Sequence, residues 1–208
     1  MKRLRGFCII VLALAAVAVW GTTFVLQAQN KQSVYGEVTI VETPEQTESI
    51  TPAAFVKEEF VPVIPKGTNI AQEARFDANG FNDVYPPGNA KDGETQGASY
   101  WEGVANEYPN IFTAVFEEPR QIHALKLLLC PKTIWGPRVQ TFSVEVSQDG
   151  ETFTELLAST DYRFDPATGN ELVLEFDEVE VEAVQLTFTG NTGATGAQIA
   201  ELEIYSVE

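Results

Sequence analysis

Beyond residue 67, apolar side chains recur at every second position. Phe142, Val144 and Val146 alternate with Ser143, Glu145 and Ser147; Leu172, Leu174 and Phe176 alternate with Val173 and Glu175; Val184, Leu186 and Phe188 continue the scheme. Successive side chains of a strand point to opposite faces, so this period predicts strands with one buried face. Residues 111–116 and 122–129 are apolar on both parities and flank Glu117-Glu118-Pro119-Arg120. That arrangement predicts a hairpin between two central strands. Asp149-Gly150 predicts another tight turn, because glycine accepts the positive φ such turns need. No long segment has a helical period, so the chain from 67 to 208 reads as an all-β antiparallel sandwich with Phe142, Val144, Val146, Leu186 and Phe188 inside. A stretch of that length encloses a core without disulfides.

Upstream the pattern changes twice. Residues 6–26 are 21 consecutive uncharged positions, enough for a helix rising 1.5 Å per residue to span a hydrocarbon core of roughly 30 Å. Lys2, Arg3 and Arg5 precede this segment, which places the N-terminus in the cytoplasm and the remainder outside. Residues 1–26 are therefore either a cytoplasmic tip with an uncleaved transmembrane anchor or a signal segment cut after Ala28. Leu26, three residues before that cut, is bulky for a signal-peptidase site and favours the anchor. The expected location is membrane-anchored with an extracytoplasmic domain, or secreted if the segment is cleaved. Residues 27–66 are rich in Thr, Glu, Val and Pro and read as an extended acidic linker. Within it residues 34–41 have the composition of a short strand, and Phe55 and Phe60 are apolar enough to dock.

The formal charge of -17 narrows the partners. An acidic body repels phosphate backbones and anionic lipid, so no nucleic-acid partner is expected. Cys8 lies in the apolar run, leaving Cys130 as the one exported thiol; it cannot form an internal disulfide and reads as a small buried side chain at a strand end. The sole histidine, His123, shares strand parity with Leu125, Leu127 and Leu129, so none is left for a catalytic triad. Paired carboxylates arise by chance among 30 acids, and a pair alone does not identify a glycosidase. The chain is not expected to be an enzyme.

The candidate chemistry sits in Asn89-Ala90-Lys91-Asp92-Gly93-Glu94, running on to Ser99-Tyr100-Trp101, and in Ile199-Ala200-Glu201-Leu202-Glu203-Ile204-Tyr205. With Asn69-Ile70-Ala71 and Ser147-Gln148-Asp149-Gly150, their order and spacing resemble the discoidin family. This family, also called coagulation factor V/VIII type C, is grouped with galactose-binding-like carbohydrate modules, and the resemblance covers residues 67–208. It implies a jelly-roll-like sandwich of about eight strands and a structural Ca2+ joining the first loop to the last strand. The implied ligands are carbonyls of Asn89 and Ala200, side chains of Asp92, Glu94 and Glu201, and the hydroxyl of Ser99, an oxygen set of the kind calcium prefers. Relative to the family, residues 94–99 carry a two-residue insertion at Gln96-Gly97, and Glu94 stands where Asn or Asp is usual.

The resemblance also implies a ligand site on loops at one end of the sandwich, here residues 77–88, 131–138 and 190–197. Carbohydrate modules set an aromatic ring against the apolar face of a sugar and a few polar groups on its hydroxyls. The residues suited to that task are Asn79, Phe81, Tyr85, Lys132, Trp135 and Arg138, whereas Trp101 resembles the family's core tryptophan. The histidine, arginine, asparagine and aromatic of the galactose-binding members are not in register, so galactose itself is not the expected ligand. The expectation is a non-catalytic extracytoplasmic module recognising a cell-surface or environmental glycan; the alternative is a protein–protein interaction or adhesion module of the same fold without sugar affinity. The partners are then a glycan or a cell-surface protein, and the membrane through the N-terminal helix if it is uncleaved. The sequence leaves the oligomeric state open.

Overall fold

The computed structural model describes residues 31–33, 36–41 and 61–207. In chain order the strands are β1 (Lys31–Ser33), β2 (Gly36–Val41), β3 (Thr68–Asn69), β4 (Arg75–Ala78), β5 (Trp101–Glu102), β6 (Asn110–Leu128), β7 (Arg138–Ser147), β8 (Phe153–Phe164), β9 (Glu171–Asn191), β10 (Gln198–Ile199) and β11 (Glu201–Ser206). The helical pieces among the described residues are four short 3₁₀ helices of three to five residues. None of the described helices is long and apolar enough to cross a membrane, and residues 6–26, Phe55 and Phe60 lie outside the described residues.

The long strands β6 and β9 pair antiparallel along most of their length, from Asn110 opposite Phe188 to Leu128 opposite Glu171. Their two halves have different neighbours, which divides the ladder into the layers of a sandwich. In one layer β4 flanks the first half of β6, while β7 and then β8 flank the second half of β9. In the other, β11 and then β3 flank the second half of β6, and β2 with β1 flanks the first half of β9. The expected hairpin at Glu117-Glu118-Pro119-Arg120 is therefore corrected: the chain runs on through these residues as one strand, and the ladder slips register between Val115 and Arg120. An irregular, polar, proline-containing stretch serves the corner where a strand leaves one layer for the other.

The inward positions are those the alternation singles out. Phe142, Val144, Val146, Leu186 and Phe188 are all buried, and Phe142 packs on Phe188 with ring centroids 4.8 Å apart. Cys130 is a free, buried thiol just past the end of β6. His123 is only partly buried and marks a second slip of register, between Ile122 and Ala124. Asp149 shapes the turn from β7 to β8, where its carboxylate accepts from the backbone N–H of Glu151 at 2.9 Å and Thr152 at 2.7 Å. Those donors hold its pKa well below the usual carboxylate range.

Val173 opposes Lys126 on β6, on the parity opposite to the inward Leu172 and Leu174, yet it is also fully buried. Residues upstream of 67 meet this part of the sheet. Lys126 and Glu171 form an ion pair at 2.8 Å with side chains 3% and 1% exposed. The pair holds both polar groups of one peptide residue: the Val63 N–H donates to Glu171 Oε1 at 2.9 Å, and Lys126 Nζ donates to the Val63 carbonyl at 2.8 Å. Pro65 beside it is buried. Thr39–Val41 also pairs with Val173–Glu175, so two stretches of the acidic linker lie against this layer.

Candidate functional site

One end of the sandwich gathers the aromatic loop residues. β5 sends Trp101 into the core, where its ring meets Phe112 edge-on at 5.0 Å and its Nε1 donates to the Gly80 carbonyl at 3.3 Å. Its neighbour Tyr100 stays partly exposed, stacks on Tyr85 (centroids 4.2 Å apart, planes 17°) and meets Trp135 edge-on at 4.8 Å. The Arg138 guanidinium lies 4.9 Å from the centroid of the Trp135 ring, a favourable cation–π placement. Burial, a hydrogen bond with Tyr85 and the nearby Glu102 charge raise the Tyr100 pKa above its usual range, so that hydroxyl is neutral at physiological pH.

Beneath these rings runs a buried polar layer. Arg138 Nη1 donates to Gln198 Oε1 at 2.5 Å, Gln198 Nε2 donates to Glu102 Oε2 at 2.8 Å, and Asn82 Nδ2 donates to Glu102 Oε1 at 2.9 Å. Gln140 exchanges two bonds with the Gln198 backbone, at 2.8 and 2.9 Å. Residues from loops distant in sequence are thus fixed to one another, the kind of support that holds a binding surface in shape. Asn170, fully buried with φ of 56°, donates to the Cys130 carbonyl at 2.7 Å and the Trp135 carbonyl at 3.4 Å, clasping both ends of the loop that carries Trp135. The third loop lies close over Arg138, since a Cβ at Gly193 would come within 2.7 Å of its Nε.

A second constellation joins the first loop to β11. Gly93, at φ of 82°, curls the loop so that its N–H donates to Glu201 Oε1 at 2.8 Å. Asp92 accepts from the Ser99 hydroxyl and, at 2.8 Å, from the Glu94 N–H. Glu201 Oε2 is buried and has no hydrogen-bond partner among the described residues. Burial, followed by the negative charges of Asp92 and Glu203, pushes the Glu201 carboxyl up to about 7 against the lowering effect of the Gly93 N–H. An orphaned carboxylate oxygen beside a second carboxylate and a hydroxyl fits a hard divalent cation.

A model of the F5/8 type C domain matches residues 68–202. The chain belongs to this family. Among solved structures, the F5/8 type C domain is similar to the family 32 carbohydrate-binding module of AlyQ, solved with 4,5-unsaturated mannuronic acid: TM-score 0.52, 20% identity, 67% of this chain and 96% of that one. A pectin-binding module gives a TM-score of 0.54 at 19% identity, over 69% and 94% of the two chains. The family 32 module of C. perfringens NanJ, solved with galactose, gives 0.54 at 17% identity, over 65% and 96%. At these identities the likeness shows the fold. No curated protein sequence matches the chain.

Within the F5/8 type C domain, Tyr85, Trp135 and Arg138 come together as one cluster. Lys132 is exposed on the Trp135 loop, and Phe81, 48% exposed, is on the Tyr85 loop. Asn79 is committed elsewhere, its side chain donating to the Pro109 carbonyl at 2.9 Å and accepting from the Ile111 N–H at 2.8 Å. Among the calcium candidates Asp92, Ser99 and Glu201 converge with Gly93. Asn89 donates to the Tyr100 carbonyl at 3.2 Å, the Ala200 N–H bonds Leu128, and the Glu94 carboxylate turns back to accept from the Gln96 N–H at 2.6 Å. Among the described residues no three His, Cys, Asp or Glu side chains group as a metal site. Sequence reasoning missed Tyr100, Glu102 and Gln198. Tyr100 was in view beside Trp101, but nothing local distinguishes a ring that faces out from one that only follows the core tryptophan.

Proposed function

We propose that this F5/8 type C domain is a non-catalytic, extracytoplasmic glycan-binding module whose first loop is tied to β11 by a structural calcium ion. The observation that carries the reading is the cluster of Tyr85, Tyr100 and Trp135 at one end of the sandwich, backed by the buried Arg138–Gln198–Glu102 network. Flat rings over convergent polar groups suit a sugar, which presents an apolar face and a rim of hydroxyls. The modules of AlyQ and NanJ, each solved with a sugar, share the fold and support the reading. In keeping with the N-terminal apolar segment, the module stands outside the cell on its acidic linker. Immobilised glycans probed with the purified protein test the proposal: retention of a restricted set is expected.

One observation favours a second reading, a protein partner at the same end. Phe81, Val84 and Ile134 expose large apolar side chains on the two aromatic loops, at 48%, 65% and 87%. Clustered exposed apolar groups mark interaction surfaces. Pairing Val84→Ser with Ile134→Ser separates the readings, because glycan retention is expected to survive these changes whereas docking of a protein is not.

Calcium has its own test. At about 100 Kd of free calcium, binding to the folded state alone adds about 2.7 kcal/mol. Chelation is expected to lower the melting temperature, and Asp92→Ala to remove most of that difference; superimposable melting curves with calcium and with chelator contradict the site. The Glu201 carboxyl, about 7 in the folded chain against an ordinary 4.5, sets the pH dependence. A carboxyl raised by folding binds more protons folded than unfolded, so the chelated protein is expected to lose stability as pH rises from about 4.5 through 7.

A further inference from the structure

The described residues contain four arginines, and three of them have carboxylate partners. Arg75 meets Asp77 at 2.6 Å, Arg120 meets Glu73 at 2.9 Å and Arg163 meets Asp165 at 2.6 Å. Arg138, only 7% exposed, has no carboxylate within ion-pair distance among the described residues. Its bonds go to neutral acceptors: Nη1 to Gln198 Oε1 at 2.5 Å and Nε to the Gly136 carbonyl at 3.2 Å. Glu102, the acid of the same network, accepts instead from Asn82 and Gln198. This is the reverse of what burial favours, since the charge most removed from water gains most from a counter-ion. Desolvation pulls the Arg138 pKa below its usual value, the mark of a buried charge that is incompletely compensated.

The chain could supply an acid, having 30 of them, yet residues 121–143 contain none. That stretch carries Lys126, which is paired with Glu171, and then Lys132 and Arg138, which form no ion pair among the described residues. Arg138 Nη2 has no partner among the described residues and is not among the buried unpartnered atoms, which leaves that edge of the guanidinium fork open. The guanidinium carbon lies 4.9 Å from the centroid of the Trp135 ring.

We propose that the aromatic site takes a sugar bearing a carboxylate, with the sugar ring against the Trp135–Tyr100–Tyr85 cluster and its acid group on the open edge of Arg138, assisted by Lys132. The inference rests on the glycan-binding reading and specifies its ligand. A guanidinium presents parallel N–H donors to a carboxylate, so the ligand supplies the counter-charge that the fold omits. A net charge of -17 opposes polyanions at long range, but that repulsion is screened beyond about 8 Å at physiological ionic strength. The contact at Arg138 is not.

The test is calorimetric titration of the full chain with oligogalacturonate, oligomannuronate and sialyllactose, each paired with its carboxyl-reduced, neutral counterpart. At least one acidic sugar is expected to bind about tenfold or more tighter than its counterpart, and Arg138→Gln to abolish that preference. Because Arg138 also supports the buried network, Lys132→Gln serves as the second variant; it is exposed, so folding is retained while the preference drops. Equal binding within every pair, no binding to any acidic sugar, or an undiminished preference in folded Arg138→Gln overturns the inference. If the protein retains only neutral glycans on an array, the acid specificity fails and the glycan reading stands; if it retains none, the glycan reading itself fails.

Discussion

Glu171→Ala in the full chain is expected to destabilise the fold by about 3 to 5 kcal/mol, the cost of leaving one charge of a buried pair uncompensated. Lys126 is 3% exposed and Glu171 1%, so water cannot replace the lost partner. The substitution also removes the acceptor of the Val63 N–H. A chain that begins at Gly67, close to the start of the family match, is expected to be destabilised too, because Lys126 and Glu171 lose their bonds to Val63 and Val173 loses its pairing with Val41. Denaturant unfolding checks both. Lys126→Met combined with Glu171→Leu is expected to recover much of the loss, as apolar replacement of a whole buried pair often does. If Glu171→Ala and the shortened chain unfold at the same denaturant concentration as the full chain, the linker is a spacer and not part of the folded unit.

Trp135→Ala is expected to weaken glycan binding by about 2 kcal/mol or more, roughly thirtyfold, the effect of truncating a central aromatic anchor. Trp135 holds one edge contact with Tyr100 and the cation–π contact with Arg138, so its loss removes a ring from the platform and loosens the other two groups. It also packs in part against the core, and some loss of stability accompanies the substitution. Binding is therefore measured well below the melting temperature of the variant. Asn170→Ala, which frees the two ends of the same loop, is expected to weaken binding less and to be partly rescued in Asn170→Gln.

Most of the sandwich was legible because its strands bury one face, and a buried face imposes period 2 on the sequence. The alternation in β7 and in both halves of β9 places its apolar residues where the structure has them. The corner at Glu117–Arg120 was not legible as such: a solvent-exposed bend within a strand selects the same charged residues and proline as a turn between two strands. Val173 had no visible reason to be buried, because the neighbouring Lys126 and Glu171 hold Val63, and Val41 pairs with it in the sheet, both over a hundred residues away. At the site, Trp135 and Tyr85 stood out as aromatics in loops. The Glu102–Gln198 contact joins residues 96 apart in sequence, and no local pattern encodes such a pairing. The Glu94 carboxylate, which the family resemblance sets beside Asp92 as a ligand, accepts from the backbone N–H of Gln96, a local bond that its place in the motif does not indicate.

The central claim, that the Tyr85–Tyr100–Trp135 end is a glycan site, is tested most directly by a glycan array read in parallel with the calcium-loaded protein and with Trp135→Ala at equal loading of folded chain. The account predicts that the native protein retains a restricted, carboxylate-bearing set and that the variant retains none of it. Retention of no glycan by the native protein, or of the same set by Trp135→Ala, would contradict it.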